Sequence, residues 1–230
     1  MSDMTVLYYS ARRIAEPFQR AVIAQLYAAL APETPIVTVA HGAPFDFGAV
    51  NLSVGDVPPS IYQVYRNILL GAQTATTPYV AMAEDDSLYV PEHFTYRPPL
   101  DTFAYNTHRY VLTRLRPTGA VFYYRQRTQM AQCLAPRQLL IDTLEERFRK
   151  FPAPVPHAVA KQGWGEPGRY EKNLGLTPRP LLTFRTELPN VTINHACGLM
   201  GRRAMRADDV ICDDLRPWGA ASDLWRCIVG

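Results

Sequence analysis

The chain opens with a run of β-forming apolar residues, Thr5 to Tyr9, and then switches period: from Glu16 to Leu30 apolar positions recur every three or four residues. Ala31-Pro32 breaks that helix, and a second apolar run follows at Pro35 to Ala40, so the opening reads β-α-β. A helical crossover joins parallel neighbours. Between Ser60 and Ala75, Ile61, Val64, Tyr65, Ile68, Leu69 and Ala72 form one helical stripe. Pro78 to Ala83 is a third apolar strand, and it runs directly into Glu84-Asp85-Asp86. The expected class is α/β, with a mixed, mainly parallel sheet flanked by helices. Ligands of such sheets lie outside the carboxyl ends of the strands, where this pattern places the three acids.

The later pattern is less regular. Arg109 to Met130 alternates Tyr, Val and Leu on either side of Pro117-Thr118-Gly119, as a β-hairpin does. The same stretch interleaves five arginines with tyrosine and phenylalanine, a mixture that also suits phosphates and stacked bases, so both readings stand together. In RQLLIDTLEERFRKF, residues 137–151, Leu139, Leu140, Leu144 and Phe148 face inward. Glu145, Glu146, Arg147, Arg149 and Lys150 are expected mostly on the solvated face. Val191 to Asn194 reads as a short strand that carries His195 to its end, before the breaker Gly198.

Size changes the picture only by limiting it. The 230 residues, 47% of them hydrophobic, suffice for one substantial core, and a single domain over residues 1–230 is expected. Cysteines at 133, 197, 212 and 227 form no C-x-x-C pair and no secretory-type segment precedes the first strand, which points to a reducing, cytoplasmic setting. No apolar run approaches the roughly 18 residues of a membrane span. A net charge of +3 permits a polyanionic partner without requiring one.

Three adjacent carboxylates repel one another, so Glu84, Asp85 and Asp86 call for an opposing charge or a solvated turn. A divalent cation, Mn2+ or Mg2+, supplies that charge through hard oxygen ligands and would neutralise a bound diphosphate. Taken alone the triplet reads more readily as an acidic surface turn; the helix and strand that precede it argue for a site. His195 reads either as a third metal ligand or as a hydrogen-bonded structural histidine. Glu166 and Glu171, in the Gly- and aromatic-rich GWGEPGRYEKNLG, are candidates for a general base or exposed loop acids. Arg12, Arg13 and Arg66 could approach phosphate oxygens as planar forks. Pro58-Pro59 before Ser60 reads as a stiff turn into a helix N-cap whose amides face an anion.

The segment Tyr65 to Asp86, YRNILLGAQTATTPYVAMAEDD, resembles the approach to the metal motif of family 2 glycosyltransferases of the GT-A (Rossmann-like) fold. Arg66-Asn67, Gly71, Ala75, the strand and the acids follow in the family's order, with Glu84 in place of the more usual aspartate. YYSARRIAEPFQRAVIAQL and FDFGAVNLSVGDVPPSIYQVYRNIL are similar to the openings of small phage-encoded and metagenomic members. The likeness covers Thr5 to about Phe94 and continues more loosely through LAPRQLLIDTLEERF, EPGRYEKNLGL and NVTINHACGLMGRR.

The resemblance implies transfer of a sugar, by inversion, from a nucleotide diphosphate donor, expected to be a UDP-sugar. Residues 1–100 would form the donor half and 101–230 the acceptor half. It implies donor contacts at Ser10, Ala11, Arg12, Asp46, Asp56, Ser60, Arg66, Glu84 and Asp85, and a metal held by Asp86, Glu84 and His195. Members that glycosylate hydroxymethylated bases of viral DNA suggest double-stranded DNA as acceptor; a glycan or other small acceptor is the alternative. A non-catalytic binding module and a nucleotidyltransferase remain as other classes, the latter disfavoured because YYSARRIAEPF has no glycine.

Overall fold

The computed structural model describes residues 2–115, 119–124, 126–154, 164–198, 204–206 and 209–230. The opening unit is the expected one: β1 (Met4–Ser10), α1 (Glu16–Ala29), β2 (Ile36–Ala40) and, beyond a loop, β3 (Val50–Ser53). The helix α2 (Ile61–Thr74) leads to β4 (Tyr79–Glu84). Its N-cap is Ser60, whose hydroxyl accepts the Gln63 backbone N–H at 3.0 Å. Gly71 lies where a Cβ would stand 3.4 Å from both Leu7 and Val39, so a small residue lets this helix settle onto β1 and β2.

Chain beyond residue 88 extends the sheet: β6 (Phe103–Asn106), β9 (Cys133–Pro136) and β10 (Leu181–Phe184) give the order β10-β6-β9-β4-β1-β2-β3. Every neighbouring pair is parallel except those made by β9, which runs against both β4 and β6. A second sheet holds β12 (Val210–Cys212), β8 (Gly119–Tyr124), β7 (Arg109–Leu115), β11 (Asn190–Asn194) and β5 (Ser87–Leu88), in that order. The chain is therefore α/β, with a mixed and mainly parallel principal sheet flanked by helices.

The strands β1 and β2 are buried at every position, as strands covered on both faces must be. Leu7, Tyr9, Val37, Val80 and Met82 pack against α2 and α3 (Arg137–Lys150) on one face. Met4, Val6, Tyr8 and Ala81 meet Leu26 and Ala29 of α1 on the other. The opposite side of α1, through Phe18 and Val22, packs on the second sheet and on α4 (Ala221–Ile228), joining Trp225 and Ile228.

One expectation about α3 is corrected. Arg147 is fully buried rather than solvated. Its guanidinium donates to Glu171 and, at 2.8 Å, to the Gly165 carbonyl, with the Tyr65 and Trp164 rings each 5.2 Å away. A cation can occupy that position because a carboxylate, a carbonyl and two aromatic faces replace its water.

Candidate active site

In the order β4-β1-β2-β3 the chain reverses direction of sheet growth between β1 and β4, and a crevice opens at their carboxyl ends. That crevice is a cleft of about 280 Å³. Tyr9 and Ser10 at the end of β1, Glu84, Asp85 and Asp86 beyond β4, and His195 beyond β11 all line it.

The three acids are separated by the elements that hold them. Glu84 is in register with Tyr9 across the parallel pair, and the Tyr9 hydroxyl donates to Glu84 Oε1 at 2.6 Å. Asp85 takes the Ser10 hydroxyl. Asp86 lies where the two sheets meet: its carbonyl accepts the Ile193 N–H at 2.7 Å, and its carboxylate accepts the Ser87 hydroxyl at 3.1 Å. The antiparallel pairing of β5 with β11 then brings His195 Nε2 to 3.5 Å from Asp86 Oδ2.

Burial pushes the Glu84 carboxyl up to about 8, Asp86 and Asp85 raising it further and the Tyr9 hydroxyl opposing. Asp85 is raised to about 6, first by burial and then by Asp86, against the Ser10 hydroxyl and His195. The site crowds acids together, and burial and mutual repulsion disfavour their charged forms.

The same atoms bear on whether a divalent cation fits. His195 Nε2 is buried and has no hydrogen-bond partner among the described residues, the Asp86 oxygen beside it being 3.5 Å away. A cation shared by an imidazole and a carboxylate satisfies both. Among the described residues no group of three His, Cys, Asp or Glu side chains is arranged to hold a metal alone, and Glu84 is engaged by Tyr9 instead of joining the pair. Of the three expected ligands the structure brings together a histidine and one carboxylate. That number suits a hard cation which completes its shell with water and phosphate oxygens.

The other expected site residues divide. Ala11 and Ser60 line the cleft, as does Glu166. Glu166 is within electrostatic reach of the acid cluster, being the least of the influences that raise Glu84, after burial and the nearer acids. Glu171 is a correction: its carboxylate is spent in the buried pair with Arg147 and accepts the Tyr170 N–H at 3.2 Å, away from the cleft. Arg12 is turned aside, its guanidinium 2.8 Å from the Ala43 carbonyl and over the Phe45 ring at 4.6 Å. Arg66 lies over Phe148 at 4.9 Å on the exposed side of α2, while Asp46 and Asp56 are exposed outside the cleft.

The backbone of Arg12 nevertheless belongs to the site. Its φ of 50° is unusual for a side-chain-bearing residue, and its N–H donates to Ser10 Oγ at 2.8 Å, bending the loop after β1 beneath the cleft. His41 and Asn67, to which the sequence assigned no role in a site, are buried and line the cleft. So is Arg109, the first of the five arginines of the 109–130 stretch read as suited to phosphates and bases.

The expected hairpin is present as β7 and β8, paired antiparallel from Tyr110–Tyr124 to Leu115–Gly119, although its turn at Pro117-Thr118 lies outside the described residues. Among the described residues no helix is long and apolar enough to cross a membrane.

No family model matches the chain, and no curated protein matches it in sequence. Among solved structures it is similar to a glycosyltransferase involved in glycosylation of the major capsid of PBCV-1, at 8% identity, TM-score 0.43, over 82% of this chain and 92% of that one. It is also similar to S. aureus TarS, at 11% identity and TM-score 0.42, over 83% of this chain but 36% of that one. A nucleotidyl transferase from Methanothermobacter thermautotroptrophicus gives 12% identity and TM-score 0.37, over 62% of this chain and 75% of that one. The functional reading rests on the cleft.

Proposed function

We propose that the chain is a metal-dependent glycosyltransferase that moves a sugar from a nucleotide diphosphate donor, a UDP-sugar in the first instance, to a hydroxyl. The observation that carries this reading is Asp86 standing 3.5 Å from His195 Nε2, which has no hydrogen bond among the described residues, inside a cleft already crowded with acids. Asp86 and His195 hold Mn2+ or Mg2+, which when bound neutralises the diphosphate and makes it a better leaving group. Ser10, Ala11, Ser60 and Asp85 contact the donor from the β1 side. Glu84, fixed by Tyr9, closes the floor.

Glu166 is the proposed general base. It takes the proton of the acceptor hydroxyl, whose oxygen forms the new bond to the anomeric carbon as the bond to the diphosphate breaks and its electron pair leaves with the nucleotide. Attack opposite the diphosphate inverts the anomeric configuration. A hydroxymethylated pyrimidine in duplex DNA is the acceptor to assay first, because Arg109, Tyr123 and Arg127 bring a basic and aromatic wall to the same cleft.

The test is release of nucleoside diphosphate from a panel of nucleotide sugars with Mn2+. Asp86→Ala is expected to bring release to background, a loss of roughly a thousand-fold or more, with an unaltered circular dichroism spectrum. Unchanged release would refute the metal assignment. Mass gain of one sugar on hydroxymethylated duplex DNA, and none on unmodified DNA, is the expected acceptor result. Labelling of free glycans alone would move the acceptor elsewhere.

A further inference from the structure

Glu166 reaches the cleft from a loop that the chain holds at three successive peptides. Pro167 and Gly168, the latter with φ 85°, take the central positions of a type II turn, closed by the Arg169 N–H donating to the Glu166 carbonyl at 3.2 Å. One residue earlier, the Gly165 carbonyl accepts from Arg147 at 2.8 Å. One residue later, the Pro167 carbonyl accepts the Tyr105 hydroxyl at 2.7 Å.

Tyr105 lies in β6, in register with Thr183 of β10 on one side and Cys133 of β9 on the other, so the sheet fixes it from both edges. It is fully buried and is not among the residues that line the cleft. The loop packs as closely as its glycines allow. A Cβ on Gly168 would stand 3.1 Å from both Leu181 and Phe103, and one on Gly165 would stand 2.6 Å from the Tyr170 ring. A base on a free loop must lose backbone and side-chain freedom before it can meet a proton; here the fold has already removed the backbone share.

We infer that Tyr105 is a positioning residue for the general base: by holding the Pro167 carbonyl it sets the direction from which Glu166 enters the cleft. Without that hydroxyl the buried carbonyl has lost its donor, and the turn tilts to find another. The inference rests on the reading of Glu166 as the base, and it adds what aims it.

Steady-state release of nucleoside diphosphate by the full chain, with Mn2+ and the nucleotide sugar it turns over fastest, tests it. Tyr105→Phe keeps the ring and removes the hydroxyl; kcat is expected to fall roughly ten- to a hundred-fold with KM for the nucleotide sugar unchanged. Glu166→Gln alone should cost about a hundred-fold or more, and adding Tyr105→Phe to it is expected to cost nothing further, since there is no base left to aim. Gly168→Ala strains the turn at its positive φ, is expected to lower kcat in the same way, and serves if Tyr105→Phe does not fold. A kcat retained in either variant, or the same fractional loss in the Glu166→Gln background, overturns the inference and leaves the reading of Glu166 intact. Full-rate release by Glu166→Gln, or no release from any nucleotide sugar by the unaltered chain, overturns both.

Discussion

Two carboxylates in this protein are withdrawn from bulk water in opposite ways. Glu171 sits against Arg147, itself bound to a carbonyl and flanked by two rings, so its charge is compensated where it lies. Glu84 sits among Asp85, Asp86 and Glu166 with only a tyrosine hydroxyl in its favour, and burial with like charge holds its carboxyl up at about 8. The first arrangement is complete within the chain. The second is not compensated, since burial and the neighbouring acids all work against its charge and a single hydroxyl works for it.

The largest expected effect breaks the compensated pair. Glu171→Ala leaves Arg147 buried without its counter-charge and is expected to cost about 3–5 kcal/mol in urea unfolding, whereas Arg147→Met with Glu171→Leu should cost far less. The same pair clamps the Gly165 carbonyl one residue before Glu166, so the double variant is expected to lose transfer activity while keeping its fold. A single variant as stable as the unaltered chain would place the charges in water.

A smaller effect comes from an ionisable group with no charged partner among the described residues. His93 is buried against Tyr89 and Phe94, its Nδ1 accepting from Asn106 at 3.4 Å, and burial lowers it to about 3. Because the unfolded chain binds the proton first, stability is complete above about 6.5 and falls as the pH drops from there toward about 3. The expected slope is about 1.4 kcal/mol per pH unit, and His93→Phe should flatten it. An identical slope in the variant would assign the acid sensitivity elsewhere.

The smallest sharpens the contrast most. Glu84 is raised above its unfolded value, so the folded protein takes up a proton and stability falls as the pH rises from about 4.5 toward about 8. Asp86→Asn removes one neighbouring charge and, without divalent cation, is expected to stabilise the protein by about 1 kcal/mol at pH 7 while abolishing donor breakdown. Loss of stability instead would make Asp86 a structural acid of the Glu171 kind.

The helices and strands from β1 to β4 were legible to within a residue or so, from Thr5–Tyr9 against Met4–Ser10 to Ser60 as the observed cap of α2. Their signals are local: a period of two or 3.6, a proline, a capping hydroxyl. Strand β9, four buried residues running against its neighbours, carries no period of its own, and β3 is a half-exposed edge. Both depend on what they pair with.

The sequence alone determined that an acidic cluster ends an apolar strand behind a capped helix, since adjacency in the chain is all that placement requires. Only the tertiary structure decided that Asp86 is joined by His195, more than a hundred residues later, through the pairing of β5 with β11. It also decided that Glu166 faces the cleft while Glu171, five residues on, is turned into a buried ion pair. The two glutamates share one loop and one residue type. What separates them is the position of Arg147, and a charge's partner is set by distance in space, which no spacing along the chain records.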